Sequence, residues 1–190
     1  MREVKIEGVC PYCGQPDLVM RSLPLEIPFF GDALQTTLLC LHCTFRHADV
    51  LLMKEGPPVR YEMRVDTPRD LWARVVRSSN GTIRIPELGA TIEPGQRGES
   101  FVTNAEGVLS KVRDIIEFVR RNADSATSRR RAGQALARIE SMVAGREPFT
   151  LIVEDPTGNS AILHEKATKA ILPEAEARRL KRGPSFDLSR

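Results

Sequence analysis

Several features are scarce in this 190-residue chain, and each scarcity limits what the protein can be. No apolar run approaches the roughly 20 residues that a membrane-spanning helix needs, and the N-terminal MREVKIEGVC has no apolar signal-peptide core. Aromatic residues make up only 5% of the chain, which argues against an extended surface for stacking bases. We therefore expect a cytoplasmic protein that uses no membrane and whose thiols stay reduced.

What is present is the composition of a globular protein, with 41% hydrophobic and 28% charged residues. The net charge of +3 is only mildly basic, and phosphate binding needs clustered positive charge rather than a small excess. No block of five like charges occurs, and the basic runs at 129–131 and 178–182 are typical of solvated helix faces. Nucleic-acid binding therefore stays open as an alternative function, without direct support from the charge pattern.

All four cysteines of the chain lie in two Cys-x-x-Cys pairs separated by 26 residues. Two residues between cysteines let both sulfurs turn inward from one tight knuckle, and two knuckles can place four thiolates about 2.3 Å from Zn²⁺. Gly14 follows the first pair, where a knuckle needs a residue that tolerates positive φ. The pattern predicts a structural zinc site with four ligands: Cys10, Cys13, Cys40 and Cys43.

Other uses of the cysteines fit the sequence less well. A single pair is typical of a redox dithiol, but two pairs in one short segment favour a metal. Disulfides suit a secreted chain, and the spacing matches neither ferredoxin pattern of iron–sulfur proteins. His42 and His47 lie near the second pair, and each would have to displace a cysteine to become a ligand. Four thiolates close the coordination shell, whereas catalytic zinc keeps an open position, so we expect a structural metal.

The chain divides in the sequence at Gly56, which begins a stiff Gly-Pro-Pro break. Strand-like stretches flank both knuckles before it, which predicts a zinc ribbon over residues 1–56. Residues 57–165 are predicted to form a β domain, and residues 166–190 a charged C-terminal tail. The ribbon is too small to bury much core, so metal binding is expected to supply much of its folding free energy.

The β domain shows short strands and one helical interruption. Residues 59–65 alternate, and strands at 72–77 and 82–85 flank Asn80-Gly81, which predicts a β-hairpin. An antiparallel helical hairpin is predicted at about 104–145, because apolar residues recur there at helical spacing.

The first helix is predicted to begin with a capping box in which Thr103 is the cap and Glu106 reaches back. Gly145 is a candidate to end the second helix. The predicted fold class is mostly β with an α insertion: a four-cysteine ribbon, then a closed β-sandwich or barrel interrupted by two helices.

Three further residues are candidates for contacts with a partner. Phe29 and Phe30 lie in the long loop of the ribbon, and exposed aromatic side chains are common anchors of protein interfaces. The alternative is that they pack against the β domain. Arg46 follows the second knuckle, where it can bind a partner or offset the negative charge of a metal held by four thiolates.

The most enzyme-like group of residues is Asp155, Asn159 and Ser160, with His164 close in sequence. The alternative is a tight turn in which a proline fixes φ and Gly158 supplies positive φ. No GxxxxGK[ST] loop is present, so hydrolysis of GTP is not expected. We expect no catalytic residues, and therefore a binding protein rather than an enzyme.

The order and density of these motifs resemble the ZPR-one family of zinc-finger proteins, over roughly residues 9–163. The motifs that carry the likeness are CPYCG at 10–14, IPFF at 27–30, CLHC at 40–43, VVRS at 75–78, IRIPEL at 83–88, NAEGVL at 104–109 and PFTLIVEDPTGNS at 148–160.

The resemblance implies a fold and a partner. Family members pair a four-cysteine zinc finger with a β domain of the double-stranded β-helix type that carries a helical hairpin. This chain, with one such module, is similar to the single-module archaeal form. Eukaryotic members have two modules, bind translation elongation factor one-alpha, preferentially with GDP, and assist its folding. The resemblance thus implies a zinc-binding, monomeric interaction module for an elongation factor GTPase; the alternative is a nucleic-acid-binding zinc ribbon.

Overall fold

The computed structural model describes four stretches of the chain: residues 1–28, 31–53, 56–95 and 100–180. The chain divides into two compact units, the first ending at Glu55 and the second beginning at Gly56. None of the helices in the described stretches is long and apolar enough to cross a membrane.

The first unit is a meander of four antiparallel strands in the spatial order β1-β2-β3-β4. Its strands are β1 (Arg2–Ile6), β2 (Leu18–Ile27), β3 (Gly31–Cys40) and β4 (Arg46–Leu52). The start of β2 pairs with the end of β3, Leu18 opposite Cys40. Both knuckles therefore lie at the same end of the sheet, and the small core of the unit forms there from Cys10, Leu18 and Cys40.

The second unit contains two antiparallel sheets, with the strand orders β12-β5-β10-β7-β8 and β11-β6-β9. The strands are β5 (Val59–Val65), β6 (Arg74–Arg77), β7 (Thr82–Ile85), β8 (Ala90–Ile92), β9 (Phe101–Asn104), β10 (Phe149–Asp155), β11 (Ala161–Leu163) and β12 (Thr168–Ile171). The central strand β10 buries Phe149, Leu151 and Val153 in the main core. The predicted fold class, mostly β with a helical insertion, is confirmed.

The helical insertion consists of α1 (Ala105–Arg121) and α2 (Ala126–Val143), and a short α3 (Glu174–Ala177) follows the last strand. The predicted hairpin is thus present, and both of its helices contribute to the main core. The core residues from α1 and α2 are Ala105, Val108, Leu109, Val112, Ile139 and Met142. Gly145 has φ +67° just after α2, as the prediction of a helix-ending glycine requires.

The cap of α1 differs from the prediction by one residue. Asn104 rather than Thr103 is the N-cap, and its side chain accepts from the N–H of Gly107 at 2.8 Å. Thr103 lies inside β9, where it is paired with Val75. The predicted cap was wrong by one residue because β9 continues through Asn104, which is paired with Arg74, so the first helical residue is Ala105.

The hairpin predicted around Asn80-Gly81 is also wrong, although both of its strands exist. β6 pairs with β9 and β11, whereas β7 pairs with β8 and β10. The intervening turn therefore carries the chain from one sheet to the other. Its conformation is held by buried bonds: Arg77 Nε donates to the carbonyl of Gly81 at 2.7 Å, and the N–H of Ser78 donates to Ser160 Oγ at 2.9 Å.

The β unit extends past the boundary predicted at residue 165. Residues 168–171, expected in the charged tail, form β12, which pairs with β5 from Thr168 opposite Glu62 to Ile171 opposite Val59. All four side chains of this edge strand are exposed. A strand without a buried face shows no alternation of apolar and polar residues, so its sequence carries no strand signal.

Candidate metal centre and partner-binding residues

Four cysteine sulfurs come together at the end of the ribbon sheet where the two knuckles lie. The Sγ atoms of Cys10, Cys13, Cys40 and Cys43 all lie within 4.8 Å of one another. The distance from Cys10 Sγ to Cys43 Sγ is 3.7 Å, and that from Cys13 Sγ to Cys40 Sγ is also 3.7 Å. Sulfurs placed tetrahedrally at about 2.3 Å from Zn²⁺ are about 3.8 Å apart. The spacing therefore fits a tetrahedral zinc ion.

Backbone N–H groups of the knuckles point at the sulfurs. The donors, each 3.4 Å from its acceptor, are the N–H groups of Tyr12 to Cys10, His42 to Cys40 and Phe45 to Cys43. Gly14, with φ +71°, closes the first knuckle by donating its N–H to the carbonyl of Cys10 at 2.8 Å. Hydrogen bonds to sulfur favour the charged thiolate, which is the form that binds a metal.

The local environment shifts the pKa values of two of these thiols in opposite directions. Burial opposes ionisation of Cys10, but the N–H groups of Cys13 and Tyr12 outweigh it and lower the pKa of Cys10 to about 7. The N–H of Phe45 favours the thiolate of Cys43, but burial and the neighbouring sulfurs raise its pKa to about 12. Neighbouring thiolates repel one another, so four closely spaced thiols do not all ionise easily. A divalent cation bound among them offsets this repulsion.

The two nearby histidines lie outside the group of sulfurs. His42 Nε2 is 2.9 Å from Asp17 Oδ2, so its ring is engaged by a carboxylate instead. The hydrogen bond from His42 and the charge of Lys5 lower the pKa of Asp17 against the opposing effect of burial. His47 is an exposed residue of β4, paired with Leu38. The cluster of candidate metal ligands in the described residues consists of cysteines alone.

Of the three predicted partner-binding residues, the structure describes one. Phe29 and Phe30 lie outside the described residues. Arg46 is the first residue of β4, opposite Leu39, and its side chain is exposed. It lines a cavity on one face of the ribbon sheet.

The enzyme-like group at the end of β10 is a saturated hydrogen-bond network. The carboxylate of Asp155 is completely buried. Its Oδ1 accepts from the N–H and the hydroxyl of Thr157, each at 2.7 Å. Its Oδ2 accepts from the hydroxyls of Ser78 at 2.6 Å and Ser160 at 2.5 Å. All of these acceptor positions serve to hold turns, and His164 is placed beside a different carboxylate, that of Asp70.

That second carboxylate, Asp70, is a buried group that the sequence analysis missed. Its Oδ2 accepts from the N–H groups of Asp66 at 3.1 Å and Thr67 at 3.0 Å, and from Lys166 Nζ at 2.8 Å. Thr67 caps the short 3-10 helix Pro68–Trp72, and Asp70 completes a capping box. A threonine followed three residues later by an acidic residue is the sequence signal that identifies this arrangement.

We predict that Asp70 contributes stability that depends on pH. Burial opposes its ionisation, but Lys166 and the backbone donors outweigh burial and hold the pKa of Asp70 well below its usual range. An unfolded aspartate has a pKa of about 3.9, so the contribution is present above about pH 4 and is lost as the pH falls further. Asp70→Asn should therefore destabilise the β unit at pH 7, with a smaller difference from wild type at pH 3.

Urea unfolding of both proteins at the two pH values measures this difference. Asp124→Asn, at an exposed position between α1 and α2, is the matched control and should differ little from wild type at either pH. An Asp70→Asn effect of equal size at pH 7 and pH 3 would contradict the prediction.

Comparison with known proteins gives close relatives along nearly the whole chain. Residues 69–185 match the family model of the ZPR1 jelly-roll domain. A ZPR1-like protein of Methanocaldococcus jannaschii is 42% identical over 175 residues, which cover 92% of this chain and 88% of the relative. A ZPR1-like protein of Pyrococcus horikoshii is 38% identical over 188 residues, covering 97% of this chain and 84% of the relative.

Eukaryotic relatives are longer. The zinc finger chaperone zpr1 of Schizosaccharomyces pombe is 32% identical over 160 residues, which cover 80% of this chain and 34% of the relative. The zinc finger protein ZPR1 of Bos taurus is 29% identical over 171 residues, covering 87% of this chain and 36% of the relative. These relatives are named zinc finger proteins or chaperones rather than enzymes. Together with the four clustered cysteines, those names identify Zn²⁺ as the cofactor.

Proposed function

The chain belongs to the ZPR1 family, and from this premise we propose that it binds a translation elongation factor GTPase of the one-alpha type and assists its folding. The observation that carries the proposal is the likeness to ZPR1 proteins along nearly the whole chain, including a relative named a chaperone. In this proposal the chain is a cytoplasmic binding protein without catalytic residues. Zinc, held by Cys10, Cys13, Cys40 and Cys43, orders its ribbon.

The hydrogen bonding of the buried acids supports binding rather than catalysis. In the described part of the chain, Asp155 and Asp70 are the two aspartates with almost no exposed surface. The carboxylate of Asp155 accepts four hydrogen bonds from turn donors, and Asp70 Oδ2 accepts from two backbone N–H groups and from Lys166. A general base needs a free acceptor within reach of a substrate proton, so the saturated carboxylate of Asp155 is a poor candidate for that role.

The charge of the ribbon argues against the nucleic-acid alternative. Residues 1–55 contain five basic and seven acidic side chains, a net charge of −2. A zinc ion bound by four thiolates adds a further two negative charges. Nucleic-acid binding is driven by neutralisation of phosphates by clustered cations, so an acidic ribbon is a poor match for a polyanion.

The function proposed here requires that the protein bind one state of its partner better than others. A chaperone changes a folding equilibrium only through a difference in affinity between the partner's states. Binding to the GDP-bound or incompletely folded factor should therefore be tighter than binding to the GTP-bound factor.

The test is titration calorimetry of the zinc-loaded chain with recombinant elongation factor, once with GDP and once with a non-hydrolysable GTP analogue. Association in the micromolar range with a preference for the GDP form is expected. A second experiment tests the nucleic-acid alternative by measuring how strongly the same protein is retained on immobilised single-stranded DNA and RNA as the salt concentration increases. Lack of association with the factor at tens of micromolar, combined with salt-dependent retention on nucleic acid, would replace the proposal by its alternative.

A further inference from the structure

A cavity of about 240 Å³ lies on one face of the ribbon sheet. Three cross-strand pairs build it: Arg21 opposite Thr37, Leu23 opposite Gln35, and Leu39 opposite Arg46. Alternate residues of a strand share a face, so Gln35, Thr37 and Leu39 of β3 bring their three partners to the same side. The register of β2, β3 and β4 thus places two arginines and two leucines around one depression.

Both arginines have donors to spare. Arg46 forms no ion pair or hydrogen bond with any described residue, and its side chain is exposed. Arg21 Nε donates to Glu3 Oε2 at 2.7 Å, and within the described stretches its two terminal nitrogens have no acceptor. Guanidinium groups recognise carboxylates through such paired N–H donors, and these charge-assisted bonds are stronger than neutral ones.

A threonine hydroxyl that is open to solvent lies in the cavity. Thr37 is only 8% exposed, it lines the cavity, and its hydroxyl has no hydrogen-bond partner among residues 1–28, 31–53, 56–95 and 100–180. The hydroxyl is reached by solvent, so it is available as a donor to a group that replaces water in the cavity. An acceptor that entered the cavity would therefore meet a hydroxyl donor below and guanidinium donors at the rim.

We propose that this pocket binds a single carboxylate side chain, carried on a protein segment whose neighbouring apolar residues pack on Leu23 and Leu39. Leu23 is 44% exposed, so it has apolar surface left to bury. The pocket is defined by this chain alone; its use in binding an elongation factor rests on the proposed function. The net charge of −2 on the ribbon favours one carboxylate between two arginines over a polyanion, which would meet repulsion beyond them.

The probe is the peptide acetyl-Leu-Glu-Leu-amide, titrated into the ¹⁵N-labelled, zinc-loaded full chain, with acetyl-Leu-Gln-Leu-amide as the uncharged match. The glutamate peptide should shift the amide resonances of Thr37, Leu39 and Arg46 and bind about tenfold more tightly than the glutamine peptide. Arg46→Gln should remove most of that preference. Arg2→Gln removes the same charge from β1 at a position that does not line the cavity, and should leave the preference unchanged.

Two outcomes would overturn the proposal that this pocket binds a carboxylate. Equal binding of both peptides, or shifts that persist unchanged in Arg46→Gln, would show that no carboxylate is recognised there. A single-stranded oligonucleotide that shifts the same resonances at lower concentration than the glutamate peptide would reassign the site to phosphate.

A final experiment distinguishes failure of the proposed pocket from failure of the proposed function. Arg46→Gln should weaken association with the elongation factor about tenfold, and Arg2→Gln should not. If the glutamate peptide binds but the factor does not, the proposed function fails and the pocket stands. If the factor binds wild type and Arg46→Gln equally and the peptide does not bind, the pocket fails and the proposed function stands.

Discussion

Cys40→Ser is expected to release the metal and unfold the ribbon, while the β unit keeps its fold. The core of the ribbon consists of Cys10, Leu18 and Cys40, with a few partly buried neighbours, so little apolar area remains to hold it together. Zinc binding by four cysteines supplies about 10–16 kcal/mol at neutral pH, which exceeds what so small a core can contribute. The β unit has a separate core of 17 buried residues, none of them a cysteine.

Elemental analysis and ¹⁵N spectra measure the two halves of this expectation. Wild type should carry one zinc per chain, and Cys40→Ser should carry almost none. Resonances of residues 1–55 should collapse to the unfolded range, whereas those of the β unit should remain dispersed.

His42→Ala and His47→Ala are the matched controls, because both residues are near the second knuckle without belonging to the cluster of sulfurs. Both should retain one zinc per chain. A ribbon that stays folded without metal, or a histidine variant that loses it, would refute the assignment of the four cysteines as ligands.

Local patterns explain why part of the structure could be predicted. Two residues between cysteines define a knuckle whatever follows, so Cys10 to Cys43 could be grouped from spacing alone. The hairpin of α1 and α2 was equally accessible, because a stripe of apolar residues at helical spacing lies within one segment. In both cases the residues that decide the structure are near one another in sequence.

The missed features depend on contacts between distant segments. The chain crosses between sheets after β6 because Ser78 bonds to Asp155 and Ser160, about eighty residues away, and the Asn-Gly turn signal cannot reveal such partners. The pocket beside Arg46 depends on the register of three strands. A change of register by one residue would place Thr37 on the other face, and composition does not fix register.

Asp155→Ala is expected to lower the free energy of unfolding of the β unit by about 3–5 kcal/mol. The variant leaves four donors without their acceptor in a site that water does not reach. It also removes the negative charge that offsets Arg77, a residue that is 4% exposed. Burial lowers the pKa of Arg77, and the charge of Asp155 acts against that shift.

The loss of stability in Asp155→Ala should affect the whole β unit, because the donors to Asp155 lie in two different loops between strands. Ser78 follows β6 in one sheet, and Thr157 and Ser160 lie between β10 of the other sheet and β11. One carboxylate thus fixes both the crossing between sheets and the turn after β10. Asp155→Asn keeps the shape but offers an amide N–H₂ to groups that are themselves donors, so it should also be destabilising, though less than alanine.

Loss of the dispersed amide resonances of the β unit during urea titration reports its unfolding, because Trp72, the one tryptophan of the chain, is already exposed in the folded protein. Asp124→Asn, exposed and outside the network, should stay within about 0.5 kcal/mol of wild type. Zinc content should be unchanged in every variant, because the ribbon has its own core. A loss below about 1 kcal/mol in Asp155→Ala would mean that the buried network is replaceable. The turn would then be held by its backbone geometry, with Gly158 at φ +73° packed against Gly56 and Pro57.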